Sequence, residues 1–421
     1  MPIPERKKPD LRPVSDETVM SSSVAWARET RSKAVARAES QGFPSRQDEY
    51  WKYTQPDAFI SEEVKLTSQL RPELEIFSAQ TEYLINFENG HLSSGGLPSV
   101  VGCDVERLGE STTLDSHWIR DLYGQLELAG QNPVERSLAA VNTALATEGV
   151  VLRATGLLDH PIRIHSVSKG NADAIVHHVI KVEAGASMTL IETGQYGTRA
   201  NIVIEVDVAD TGCFHHIRVQ DGVERHIHSH IFARLGKMSK FKSFTLTSGV
   251  KLTRNECVLE LTGDNANATV AGACLGDGEF HHDDTIFVTH DAVNCESRQV
   301  FKKVLRNGAV GVFQGKILVK SGAQKTDGYQ ISQSLLLDAD SQFLAKPELE
   351  IYADDVACSH GSTSGAIDDE ALFYLRSRGV SHTKAVDLLT LSFVAEAIQE
   401  IEDDTLADAI LNHLTKALEI R

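Results

Sequence analysis

The amino-acid sequence predicts a mainly β protein, a β-solenoid flanked by helical N-terminal and C-terminal regions. Three observations carry this. From about residue 150 to 357, short runs rich in Val, Ile, Thr and Phe are separated by Gly/Asp/Asn/Ser turns, with no helical pattern between them. Turn glycines recur at 185, 212, 236 and 263, at intervals of 27, 24 and 27. Helical periodicity returns on both sides of this stretch. Strands at a long, loosely fixed period without helices stack as successive coils. Regular strand spacing also fits a two-sheet sandwich, and the period favours the solenoid.

The organisation follows in order: a helix-rich region over 1–149, the β region over 150–365 and a helical region over 366–421. The first 15 residues are rich in proline and charge and are expected to fray. A helix is expected over 16–41, closed by Gly42 and Pro44. The segment Pro44-Ser-Arg-Gln-Asp-Glu-Tyr-Trp51-Lys-Tyr53-Thr54 mixes aromatic and polar side chains and is expected to dock onto something. Another helix is expected from Pro133 to about Ala146, with the proline near its first turn. Beyond Gly365, Asp368 is suited to N-cap a helix to Arg378, with acids in its first turn, bases in its last and Gly379 beyond. Two further helices follow, after Ser381 and after Asp403 or Asp404.

The chain has 421 residues and a formal charge of −18. Such a balance disfavours nucleic acid as a partner, because phosphate contacts need a basic surface. The longest apolar runs are far too short for a membrane span. The residues after Met1 contain no hydrophobic segment of the signal-peptide kind. The six cysteines, at 103, 213, 257, 274, 295 and 358, show no Cys-x-x-Cys spacing. That fits a reducing cytoplasm better than a disulfide framework.

Cys358-Ser-His360 is the leading candidate for chemistry. The two side chains are two residues apart, so on an extended backbone they share a face. A thiolate beside an imidazole suits iron, zinc or an iron–sulfur species. Two ligands do not complete a four-coordinate site, so any remaining ligands come from elsewhere. On residue type alone, a packed Cys and a hydrogen-bonded His are the commoner outcome. His226-Ile-His228-Ser-His230 also share one strand face, but consecutive same-face residues lie about 7 Å apart and converge poorly on one ion. A polar solenoid face or rung stack is the plainer reading. A β-helix enzyme using this histidine cluster, or an acid cluster, on a carbohydrate or small molecule is the alternative function. Gly311-Val-Phe-Gln-Gly315-Lys316-Ile is one residue short of a phosphate loop and lacks its Ser/Thr. Asp283-Asp284 and Asp354-Asp355 are expected to be solvated or in turns.

Longer segments carry a resemblance. They are Pro44 to Thr54; Arg254-Asn255 with Leu259-Glu-Leu-Thr-Gly263; Asp283-Asp-Thr-Ile-Phe-Val-Thr-His290; and Glu296-Ser-Arg-Gln-Val-Phe-Lys-Lys-Val-Leu305. Gly311 to Val319, Ala323-Gln-Lys-Thr-Asp327 and Gln330 follow. The most specific is Lys346-Pro-Glu-Leu-Glu-Ile-Tyr-Ala-Asp-Asp-Val-Ala-Cys-Ser-His-Gly361, continuing through Asp368 to Gly379. Together these resemble the SufB/SufD family of iron–sulfur cluster assembly proteins, and the Cys-Ser-His-Gly form resembles its SufD branch. The resemblance implies a right-handed parallel β-helix and a non-enzymatic scaffold subunit. It implies a heterodimer with a SufB-like paralogue and a SufC-like ATPase docked on the C-terminal helices, around Phe373, Tyr374, Arg376, Arg378 and Gly379. It further implies that His360, with Cys358 beside it, faces a cysteine of the paralogue where a nascent cluster forms. No cofactor would then be held tightly by the isolated chain; a transient cluster or iron would be shared with the partner. A surface built for a paralogue would also admit a second copy of the chain.

Overall fold

The computed structural model describes residues 7, 23–60, 76–77, 83–169, 173–221 and 225–419. Two sheets form its centre. One contains β1 (Tyr83–Glu88), β2 (His91–Leu92), β5 (Ile162–Val167), β7 (Ser187–Gly194), β9 (Cys213–Asp221), β11 (Lys240–Ser248), β13 (Asn267–Asp277), β15 (Glu296–Arg306), β17 (Thr326–Leu336) and β19 (Val356–Gly365). The other contains β3 (Cys103–Arg107), β4 (Val150–Ala154), β6 (Asp173–Val182), β8 (Arg199–Val208), β10 (His226–Leu235), β12 (Leu252–Leu261), β14 (His281–His290), β16 (Val310–Val319) and β18 (Gln342–Ile351). From β5 onward the chain alternates between the sheets, and each strand pairs in parallel with the strand two places on. A sandwich of hairpins would pair antiparallel. The molecule is a β-solenoid, and each coil contributes one strand to each sheet. Strands β1 and β3 join the sheets ahead of residue 150.

The near-continuous apolar runs have a simple cause: ahead of the last coil, both faces of both sheets are largely covered. Inward residues such as Ile180, Leu190, Ile202, Phe214, Phe241, Leu259 and Phe313 fill the bore. The outer face of the even-numbered sheet, with Val179, Val203, Phe232 and Phe287, lies under Tyr50, Ile119, Tyr123 and Ala139. The outer face of the odd-numbered sheet, with Ile217, Phe244, Leu246 and Val304, lies under Val394, Ile398, Ile410 and Leu414 of the C-terminal helices. Each such apolar side chain contributes roughly 1.5–3 kcal/mol by leaving water.

The helices expected from local signals are present, with two differences; the short helices Asp57–Ile60, Leu108–Ser111 and Gln125–Ala129 are not among those expected. Helix Ala25–Gln41 ends at Gly42; the expected start at 16–22 lies outside the described residues, as do the first 15 residues apart from Lys7. The expected helix from Pro133 begins only at Ser137. Pro133 sits upstream of it, after a cis peptide bond, so it is not a first-turn proline. At the C-terminal end, Asp368 accepts hydrogen bonds from the Glu370 and Ala371 amides and caps helix Asp369–Ser377. Helices His382–Ile398 and Asp404–Glu419 follow.

The recurring turn differs from the one the glycines suggest. In each turn from the even-numbered to the odd-numbered sheet between β6 and β17, one residue adopts the left-handed region: Gly185, Thr211, Met238, Asn265, Asn294 and Lys325, with φ between 55° and 72°. The amide of each donates to a carbonyl in the next coil's turn, as Thr211 does to Lys237 at 2.7 Å and Asn265 to Val293 at 3.0 Å. A left-handed non-glycine residue costs roughly 1–2 kcal/mol, which this stacked hydrogen bond offsets. Only Gly185 of the four periodic glycines supplies that conformation. Gly236 and Gly263 are needed for close approach instead: a Cβ at Gly263 would meet the backbone of Gly236 and Lys237. Gly263→Ala should therefore cost about 2–4 kcal/mol in a urea titration. Gly322→Ala, which meets nothing within 4 Å, should leave the midpoint unchanged. Equal midpoints for the two variants would contradict the turn stacking.

Candidate functional site at the open end of the solenoid

Strands β18 and β19 are the last of their sheets, and each has one unpaired edge. Both are ten residues long. Their side chains are mostly half-buried or exposed, in contrast with the buried strands behind them. Ile351 at the end of β18 and Tyr352 just after it stand exposed, as does Tyr329 on β17. The terminal coil is thus an unfinished layer: among the described residues no further coil covers its backbone groups or its bore.

Cys358 and His360 lie on β19 and share the face that continues the bore. Their register partners on β17 are Gly328 and Gln330. A Cβ added at Gly328 would sit 3.2 Å from the Cys358 sulfur, so the glycine makes room for the thiol. Cys358 is half-buried and His360 exposed. Burial raises the Cys358 pKa, opposed by a hydrogen bond from the Gly328 amide. As a neutral thiol at rest it must lose its proton to bind a metal.

Behind His360 stands a feature that motif reading missed. Gln330 is fully buried and its side-chain nitrogen and oxygen have no hydrogen-bond partner. It fits because the facing residue is Gly315, where a Cβ would collide with the amide group. Gln299, its register partner on β15, is also fully buried and unpartnered. Two unsatisfied amides in line with an exposed imidazole form a polar strip leading to the mouth of the bore. Burying such groups without partners costs about 1–3 kcal/mol each. Among matching segments the sequence showed Gln330 and Gln299, but not that their side chains are inward and unpaired.

The remaining candidates separate in space. Phe373 and Tyr374 are 75% and 54% exposed on helix Asp369–Ser377. The Arg378 guanidinium lies 4.5 Å from the centre of the Tyr374 ring. Arg376 is on the same helix, and Gly379 follows with φ of 87°. Gly311 to Lys316 form part of strand β16 rather than a phosphate loop, and Lys316 pairs with Glu350 at 2.6 Å. Asp283 and Asp284 are not solvated. They are buried on opposite faces of β14, Asp283 against Arg254 and Asp284 against Lys303. Strand alternation separates the adjacent acids and gives each its own cation. Asp354 and Asp355 are exposed in the turn before β19.

His228 and His230 are buried on the outer face of β10, with Glu256 of β12 beside them. The Pro44–Thr54 segment docks on this face of the even-numbered sheet. Trp51 lies under the Arg254 guanidinium at 4.3 Å, Thr54 donates to Asp283 at 2.6 Å, and Gln314 donates to the Tyr50 carbonyl at 3.0 Å. Glu256 escaped notice in the sequence although the coil period points to it: 230 plus 26 is 256, and the two residues are register partners.

Comparison with known proteins agrees with this architecture. Residues 165–393 match the family model described as SUF system FeS cluster assembly, SufBD core domain. The chain is 28% identical to the iron–sulfur cluster assembly protein SufD of Escherichia coli over 392 residues, 90% of each chain. It is 28% identical to a SufBD family protein of Synechocystis, over 85% of this chain and 84% of the relative. It is also 27% identical to SufD of Bacillus subtilis, over 63% of each. With more than half its length inside the family model, and with the solenoid and flanking helices in place, the chain belongs to the SufB/SufD family of iron–sulfur cluster assembly proteins.

Proposed function

We propose that this chain is a non-enzymatic scaffold subunit that pairs through its open coil with a SufB-like paralogue and helps hold a nascent iron–sulfur cluster there. The observation that carries the reading is the unfinished terminal layer. Two ten-residue edge strands are a template for a second solenoid, and Cys358 and His360 project where such a partner would close the bore. His360 is the proposed iron ligand, through a neutral ring nitrogen. Cys358 is the proposed auxiliary ligand. The iron and sulfide are cargo rather than a resident cofactor. The exposed pair Phe373 and Tyr374, with Arg376, Arg378 and Gly379, is the proposed dock for a SufC-like ATPase, since this chain carries no phosphate loop. ATP-driven movement of the docked helix would rearrange the solenoid end. The proposed compartment is the cytoplasm; no helix among the described residues is long and apolar enough to cross a membrane. The β-helix enzyme reading is the weaker one, because His228 packs against Trp51 and Phe59 and His230 is fully buried.

The test is His360→Ala, co-expressed with SufB-like and SufC-like partners. Cluster content of the intact complex should fall at least tenfold, read from iron, sulfide and visible absorption. His360 is exposed, so the fold should be unaffected. A complex assembled with wild-type cluster content would overturn the ligand role. Failure of the wild-type chain to bind the paralogue would overturn the scaffold role.

A further inference from the structure

We propose that His228, His230 and Glu256 form a second metal site, structural in role, that takes one divalent transition-metal ion such as zinc. It is separate from the surface pair Cys358 and His360. Each of the three offers one ligand atom, and these atoms lie within 4.8 Å of one another. The Glu256 Oε1 stands 3.3 Å from His228 Nε2 and 3.7 Å from His230 Nε2. Ligands about 2.0–2.1 Å from a tetrahedral zinc are about 3.3–3.4 Å apart; the Glu256–His228 spacing already matches, the Glu256–His230 spacing is slightly long, and the widest spacing in the set, at most 4.8 Å, must close. Two imidazoles and a carboxylate suit zinc or ferrous iron.

The second observation is what the cluster lacks. Neither ring nitrogen of His230 has a hydrogen-bond partner, although the residue is fully buried. The other ring nitrogen of His228, Nδ1, is also unpartnered. An imidazole enclosed in this way leaves a strong acceptor unsatisfied, which is costly unless something occupies it.

Charge sets the limits of the site. Arg136 and Arg254 each hold Glu256 at 2.9 Å, and Arg254 also pairs with Asp283. Two guanidiniums and two carboxylates balance, so a divalent ion adds its full charge. A cavity of about 300 Å³ lined by His228, Phe59, Asn201 and Arg199 adjoins the cluster. Water or hydroxide from this cavity supplies the fourth ligand, and hydroxide lowers the excess charge. The ion would clamp β10 to β12 beneath the Pro44–Thr54 segment.

The test uses the full chain carrying Cys358→Ser and His360→Ala, which removes the surface pair. After chelator treatment and addition of zinc, it should retain one zinc per chain, and its melting temperature should rise. Adding His230→Asn should weaken zinc binding at least tenfold and abolish the melting shift. Cobalt should give d–d absorption of a low-coordinate nitrogen/oxygen site without a sulfur charge-transfer band, a readout that needs no His230 variant. No retained zinc, or zinc retained equally by a folded His230→Asn variant, would overturn the site. So would a cobalt spectrum showing thiolate ligation.

Discussion

Lowering the pH from 7 to 5 should remove about 6 kcal/mol of stability from this fold through three histidines alone. His178, His215 and His290 are each pushed down by burial to about 4 from an ordinary 6.5. The unfolded chain therefore binds more protons than the folded one once the pH falls below 6.5. Stability is intact above that value, is lost steadily toward pH 4, and then levels off. At pH 5 each ring costs about 2 kcal/mol. Whole-domain stabilities run at about 5–15 kcal/mol, so three such rings bring the fold near its limit. His282, also lowered well below 6.5 by burial, acts in the same direction. Urea midpoints followed by circular dichroism at pH 7, 6 and 5 should fall in step, with acid unfolding complete before pH 4. An unchanged midpoint between pH 7 and 5 would show that these rings are protonated in the fold without cost.

Glu192→Ala should be the most damaging single change in the bore. Glu192 accepts from His216 at 2.7 Å and from two nitrogens of Arg218 at 2.6 and 2.8 Å. Arg218 donates onward to Ser229 at 2.8 Å, and Ser229 to Asn255 at 2.7 Å. Removing the carboxylate leaves a buried guanidinium without its counter-charge, which costs about 3–5 kcal/mol. Burial works to raise the Glu192 pKa, but the Arg218 charge and the His216 hydrogen bond outweigh it and hold the carboxyl far below its usual range. Its contribution is present above about pH 4.5 and is lost only at stronger acid, so the penalty should be the same at pH 7 and pH 6. Glu192→Gln keeps acceptor capacity and should lose less. A loss under about 1 kcal/mol for the alanine variant would mean that Arg218 finds another anion or water.

The C-terminal helices were legible because their signals are local. Asp368 and Gly379 bracket a helix within a dozen residues, and Ile410, Leu414 and Leu418 repeat at helical spacing on one buried face. The solenoid was legible from its period, but the identity of its turn was not. Thr211, Met238 and Lys325 are not residues that favour the left-handed region, and stacking on the next coil selects them. The same limit hid Glu256 from His230 and made Asp283 and Asp284 look solvated. The aromatic segment Pro44 to Thr54 announced that it docks without announcing where.

Short-range signals in the sequence carry the capped helices at the end and a thiol and an imidazole on one face of a late strand, while its long strand period favours coils over a two-sheet sandwich without excluding the sandwich. Only the tertiary structure decided which residues meet across coils, that the last coil is left uncovered, and that two histidines converge with a glutamate under an aromatic strap. The physical reason is the coil length. Successive left-handed turn residues are 26, 27, 27, 29 and 31 positions apart, so cross-coil register drifts along the chain. Burial, charge pairing and coordination all depend on that register.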